Sequence, residues 1–112
     1  MTWDEVTALA SEFPGVEVST SYGTPSLKAR GKFLTRLRSE DDSLVFVDVP
    51  MDERDLLIEA EPKTFHITPH YEGYPTVLAR LASVDAVTVR RMLERRWRNV
   101  APKRLVQAYD AG

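Results

Sequence analysis

Between Ser21 and Arg38 the sequence SYGTPSLKARGKFLTRLR divides cleanly by parity. Leu27, Ala29, Phe33, Thr35 and Leu37 occupy odd positions, and Lys28, Arg30, Lys32, Arg36 and Arg38 occupy even ones. Successive side chains of a strand point to opposite faces, so the pattern predicts a β-hairpin with one apolar and one basic face. Leu34 is the one apolar residue that parity assigns to the basic side. Gly31 supplies the permissive backbone for the bend. For both arms to keep one parity, the connection must hold an odd number of residues or contain a bulge. An even loop would send the arms' apolar sets to opposite faces.

The rest of the chain provides elements to cover such a sheet. Thr2 followed by Glu5 is a capping-box pattern, and Trp3, Val6, Leu9, Ala10 and Phe13 recur at helical spacing until Pro14-Gly15. Val16 to Thr20 alternates as a short first strand, and Tyr22-Gly23-Thr24-Pro25 reads as a turn or loop into the hairpin. After the polar turn Ser39 to Asp42, Ser43 to Val49 is apolar on both faces and is expected to be a central or doubly covered strand. Pro50 to Glu61 reads as a helix with acids in its first turn, where the macrodipole favours them, and with Leu56, Leu57 and Ala60 facing inward. Thr64 to Tyr71 is a short strand interrupted by Pro69, which predicts an edge position or a bulge. Thr76 to Ala82 is the last strand. Asp85 caps a third helix, with Val84 and Val89 spaced as a hydrophobic staple. Its inner stripe is Val89, Met92, Leu93 and Trp97; its outer stripe is Arg91, Arg95 and Arg98. Pro102 opens a final helix expected to bury Leu105, Val106 and Tyr109. This order predicts an α+β two-layer sandwich, an antiparallel sheet of about five to six strands with helices packed on one face, the other face left to solvent or a partner.

A chain of 112 residues is expected to form a single domain, residues 1–112. No apolar run approaches a membrane span, and the start MTWDEVTALASEF lacks the charged and apolar regions of a secretory signal, so the expected location is the cytoplasm. The sequence has no cysteine, which removes disulfides, thiolate nucleophiles and all-thiolate metal sites. The net charge of −2 conceals segregation. Residues 28 to 38 carry five cations and no acid, residues 40 to 61 nine acids against Arg54, and residues 80 to 104 eight cations against Asp85 and Glu94. Opposed blocks predict a polarised surface if they separate in space.

The sequence SYGTPSLKARGKF, with Ser21-Tyr22-Gly23-Thr24-Pro25 and Lys28, and the closing Val100-Ala101-Pro102-Lys103-Arg104-Leu105-Val106 resemble the MmcQ/YjbR family of small bacterial proteins. The resemblance runs over nearly the whole chain. It implies a compact two-layer α/β fold likened to the CyaY (frataxin-like) fold and to double-wing DNA-binding domains, and it implies DNA binding by analogy of fold. It carries no catalytic residues. Many members have a His-Met-Asn-Lys-like stretch before an aromatic residue where this chain has Phe65-His66-Ile67-Thr68-Pro69-His70-Tyr71.

Five features bear on chemistry. His66 and His70 are the only histidines, and on a strand their Cα atoms would lie about 13 Å apart, too far for one ion, so no metal site and no cofactor are expected. Asp41-Asp42 and Asp52-Glu53 sit in a turn and at a helix start, where acids serve local hydrogen bonds and the dipole. Ser19, Ser21, Ser26, Ser39 and Ser43 lack a nucleophile elbow, and the glycines are scattered rather than gathered in a phosphate loop, so no catalytic residue is assigned. Ser21, Tyr22, Thr24 and Lys28 could converge on a small anion, the alternative being a polar turn that satisfies its own backbone. The larger signal is cationic: Lys28, Arg30, Lys32, Arg36 and Arg38 on the hairpin, and Arg91, Arg95 and Arg98 on the third helix, would all attract a nucleic acid. Solvated faces, with some arginines paired to the acids of residues 40 to 61, are the other outcome. The expected function is weak, largely sequence-independent DNA binding by a monomer or weak homodimer. A protein-binding adaptor or small anionic ligand-binding domain is the first alternative, and a hydrolase or transferase the second.

Overall fold

The computed structural model describes residues 1–112. Its element order is α1 (Trp3–Ala10), β1 (Val16–Ser21), β2 (Thr24–Ala29), β3 (Lys32–Arg38), β4 (Ser43–Val47), α2 (Met51–Ala60), β5 (Phe65–His66), a 3-10 turn (Pro69–Tyr71), β6 (Thr76–Arg80), α3 (Ala86–Val100) and α4 (Lys103–Ala111). The six strands form one antiparallel sheet in the order β1-β2-β3-β4-β6-β5. The fold is α+β.

The helices begin where their sequences specify. The Thr2 side chain accepts from the Glu5 amide and the Glu5 carboxylate accepts from the Thr2 amide, completing the capping box of α1. Asp85 accepts from the Thr88 amide at 2.7 Å and starts α3. The inner stripe of α3, Val89, Met92, Leu93 and Trp97, is buried with Val6, Ala10 and Phe13 of the α1 region against Leu27, Ala29, Leu44, Phe46, Val77 and Ala79 of the sheet. Each aliphatic side chain so enclosed contributes about 1.5–3 kcal/mol relative to exposure. The Trp97 indole donates to the Pro14 carbonyl at 2.9 Å, and its ring centroid lies 5.3 Å from Phe13 and 5.2 Å from Tyr109. Leu105, Val106 and Tyr109 of α4 pack on the core at half-burial rather than full burial.

The hairpin departs from simple parity. Its connection is the two-residue turn Arg30-Gly31, both at positive φ (49° and 82°), between the partners Ala29 and Lys32. This is the primed geometry that matches strand twist, and its even length reverses the parity of β3 relative to β2. A bulge then restores it, since Leu27 pairs with Thr35 while Lys28 pairs with Phe33, leaving Leu34 as the extra residue. Leu34 is therefore in the core and Phe33 faces the other side, the opposite of the assignment made by position alone. Thr35, also buried, donates to the Val45 carbonyl at 2.8 Å. Tyr22-Gly23 is a second two-residue turn with both φ positive, so β1, β2 and β3 form a meander.

Two further expectations are corrected. In α2 the inward residues are Leu57 and Ile58, both half-buried, and Arg54, only 5% exposed; Leu56 is 65% exposed and Ala60 is on the surface. The stretch after Lys63 pairs only through Phe65 and His66 at the sheet edge, after which Pro69 starts the 3-10 turn. Arg54 explains both. Its Nη1 donates to the carbonyls of Tyr71 (3.3 Å), Glu72 (2.9 Å) and Tyr74 (3.1 Å), tying residues 67–75 down as a strap. A helix facing an apolar core with an arginine is invisible to hydrophobic periodicity, because the arginine's partners are backbone oxygens far along the chain.

Candidate functional site

The face of the sheet opposite α1 and α3 carries a groove of about 900 Å³. Val45, Val47 and Phe33 give it an apolar floor, the β1–β2 turn forms one wall, and His70 and Tyr71 of the strap form the other. Arg36 reaches both walls. Its guanidinium carbon lies 5.2 Å from the Tyr22 ring centroid, and its Nη2 donates to the Tyr71 hydroxyl at 3.1 Å.

Ser21, Tyr22, Thr24, Lys28, Arg36 and Arg38 all line this groove, so the proposed anion cluster and part of the proposed nucleic-acid set are brought together. Their partners differ. Arg38 is bound by Asp41 at 2.7 Å and lies 3.6 Å from Glu40. Lys28 and Arg36 form no ion pair. Glu17 stands opposite Lys28 in register, but its carboxylate accepts from the Gly31 amide at 3.2 Å. Ser21 donates to Ser26 and Thr24 to the Ser21 carbonyl, so these hydroxyls are partly satisfied within the turn. Tyr22 is 90% exposed at the turn's tip.

Arg30 and Lys32 do not share the groove. Arg30, in the turn, lies over Gly15, where an added Cβ would come within 3.2 Å of its Nε. Lys32 pairs with core-facing Ala29 and so sits on the helix side of the sheet. The bulge and the even loop cause this division.

The arginines of α3 are on the covered side, and most of them brace the helix. Arg95 pairs with Glu53 of α2, and Arg96 with Asp48 after β4 while also donating to the Phe33 carbonyl at 2.8 Å. Arg98 bridges Glu94 and Asp110, which hold its guanidinium pKa further up, and Arg90 joins Glu12, Glu94 and the Tyr109 hydroxyl. Arg91 alone of the outer stripe lacks an ion pair; it borders a small cleft with Glu53, Leu57, Met92 and Arg95. Opposite charge blocks in the sequence signalled this pairing, whereas the bracing roles of Arg90 and Arg96 needed the fold.

The histidines part company. His66 Nε2 is 2.8 Å from Asp41 Oδ2, and because a carboxylate only accepts, that nitrogen carries the proton. Burial works to raise the Asp41 pKa, but the His66 and Ser43 hydrogen bonds and the Arg38 charge outweigh it and hold the carboxyl below its ordinary 3.8. His70 instead packs edge-on to Tyr71 and stacks with Tyr74. No three His, Asp or Glu side chains gather in a metal-holding group.

A family model described as YjbR matches residues 11–99, a stretch that takes in the whole sheet, the strap and α3 to its last turn. The chain is also similar to the uncharacterized proteins Rv2570 of Mycobacterium tuberculosis and Mb2600 of Mycobacterium bovis, each 32% identical over 124 aligned positions that span 98% of this chain and 96% of the relative. No solved structure matches. The chain belongs to the YjbR family.

Proposed function

We propose that this protein is a binding domain that holds a nucleic-acid strand weakly, and without sequence preference, along the groove of the open sheet face. The observation that carries the reading is a pair of groove cations, Lys28 and Arg36, with no carboxylate partner, beside the exposed ring of Tyr22. Free cations suit phosphates and an aromatic face suits an unpaired base, a combination indifferent to sequence because every base has a stacking face. A single strand fits better than a duplex, whose bases are already stacked. The test is fluorescence anisotropy of a labelled single-stranded oligonucleotide across salt concentrations. Two neutralised phosphates give a log–log slope of about −1.4, and Arg36→Ala should bring it to about −0.7. On a duplex, four cations on the even positions, Arg30, Lys32, Arg36 and Arg38, would give about −3.6; with Arg30 and Lys32 off the groove and Arg38 paired with Asp41, Lys28 and Arg36 are the two that remain and the slope is about −1.8. Absence of binding at low salt, or an unchanged slope in Arg36→Ala, overturns the reading.

The convergence of Ser21, Tyr22, Thr24 and Lys28 on one recess favours a second reading, a small phosphate-bearing ligand such as a mononucleotide. A mononucleotide at 100 times its dissociation constant would add about 2.7 kcal/mol of stability, visible as a thermal shift that inorganic sodium chloride does not reproduce.

A further inference from the structure

The sheet has two edges, and they are unlike. β5 offers only Phe65 and His66 before the chain turns into the strap, whereas β1 presents six residues, VEVSTS, whose outer side pairs with no strand, the Val16 amide being engaged by the Phe13 carbonyl at 3.4 Å. An open strand of this kind is normally blunted by lysine, proline or a bulge. β1 has none of these, and its one charged residue, Glu17, is engaged by the Gly31 amide. Val18, opposite core-facing Leu27, lies on the helix side of the sheet but beyond the helices and is 67% exposed.

We infer that β1 is the self-association edge of this protein, joining a second copy antiparallel, β1 to β1, about a two-fold axis perpendicular to the sheet. With the axis at Val18, the two Val18 side chains lie side by side, Val16 faces the partner's Thr20, and Glu17 faces the partner's Ser19. Valine meets valine at the axis, and no like charges stand directly opposite, the two Glu17 side chains being diagonal neighbours that are each engaged by their own Gly31 amide. The edge is complementary to itself, as an isologous contact requires, and the short β5 edge gives no site for further growth, so assembly stops at two. A two-fold axis in this direction keeps both open faces on one side of a twelve-stranded sheet. Lys28 of each copy, level with Glu17 and so one residue off the axis, then stands three strand spacings across and two residues along from its mate, about 16 Å. The two grooves face the same way across the seam. That last consequence rests on the groove reading proposed above; the association itself does not.

The experiment begins without nucleic acid. Sedimentation velocity of the 12.7 kDa chain from micromolar to millimolar concentration should show a rise from monomer to dimer mass and no further. Hydrogen exchange of the β1 amides should slow over the same range. Val18→Lys should remain monomeric throughout, and Val18→Pro, an edge proline that adds no charge, gives an independent disruption should Val18→Lys fail to fold. Monomer mass at every concentration, or a dimer that survives the edge substitutions, overturns the inference. An oligonucleotide long enough to cross the seam should then bind the dimer on the order of 100-fold more tightly than the edge-blocked monomer. Equal affinity with the dimer established would overturn the joined grooves and leave the β1 association standing.

Discussion

Replacing Arg54 by methionine asks how firmly the strap is held. Three carbonyls, of Tyr71, Glu72 and Tyr74, share the two hydrogens of Nη1, so the interaction amounts to two charge-assisted bonds rather than three. Such bonds contribute about 1.5–3 kcal/mol each. The loss is reduced on two accounts. Methionine removes the cost of burying a cation whose nearest carboxylate, Asp55 at 3.0 Å from Nε, is largely exposed. Glu72 and Tyr74 are exposed as well, so water can replace the guanidinium once the strap lifts. About 2–3 kcal/mol therefore remains as the free energy that keeps the strap closed. Hydrogen exchange followed by mass spectrometry on peptides spanning residues 67–75 should show rates faster by about 30- to 140-fold in Arg54→Met, at 1.4 kcal/mol per factor of ten. Peptides from β4 and α3 should change far less, because none of the hydrogen bonds of the Arg54 side chain goes to either. Wild-type exchange in the strap of Arg54→Met would refute this account, and so would a uniform rise over the whole sheet, which would mark Arg54 as a general stabiliser rather than the strap's anchor.

Other residues give independent checks. Trp97→Ala should lower the unfolding free energy by about 3–5 kcal/mol in denaturant titration, and Trp97→Phe by about 1–3 kcal/mol, mainly because the Pro14 carbonyl loses its donor; an unchanged midpoint in both would contradict the packing of α3. Leu34→Ala should cost about 2–5 kcal/mol while Phe33→Ala costs clearly less, since the bulge turns Leu34 into the core and Phe33 into the groove; the reverse order would mean that the hairpin keeps simple parity. Because the Asp41 carboxyl is held below 3.8 in the folded chain, it adds stability that is present above that value and lost as pH falls below it. Thermal melts from pH 5 downward should therefore steepen in the wild type near and below pH 3.8, and Asp41→Asn should flatten the acid limb; identical acid limbs would show that the His66 and Arg38 contacts do not stabilise the charged form.

Where each level of description succeeds follows from the range of the interactions involved. The start of α1, the Asp85 cap, the inner stripe of α3 and the central β4 are legible in the sequence because capping and periodic burial involve residues a few positions apart. Ser21, Tyr22, Thr24, Lys28, Arg36 and Arg38 could be singled out there for the same reason: they share a strand pair and its turns. Parity placed Phe33, Leu34 and Lys32 each on the wrong side, because a two-residue loop and a bulge each invert parity and the tertiary core chooses between registers by burying Leu34. The inward turn of Arg54, the wall formed by His70 and Tyr71, and the pairing of Arg95 and Arg96 with acids more than 40 positions away depend on contacts that no local pattern encodes. Charge segregation along the chain became charge pairing in space on the helix side. On the open side, two groove cations kept no acidic partner, because only the folded sheet decides which acids come within reach.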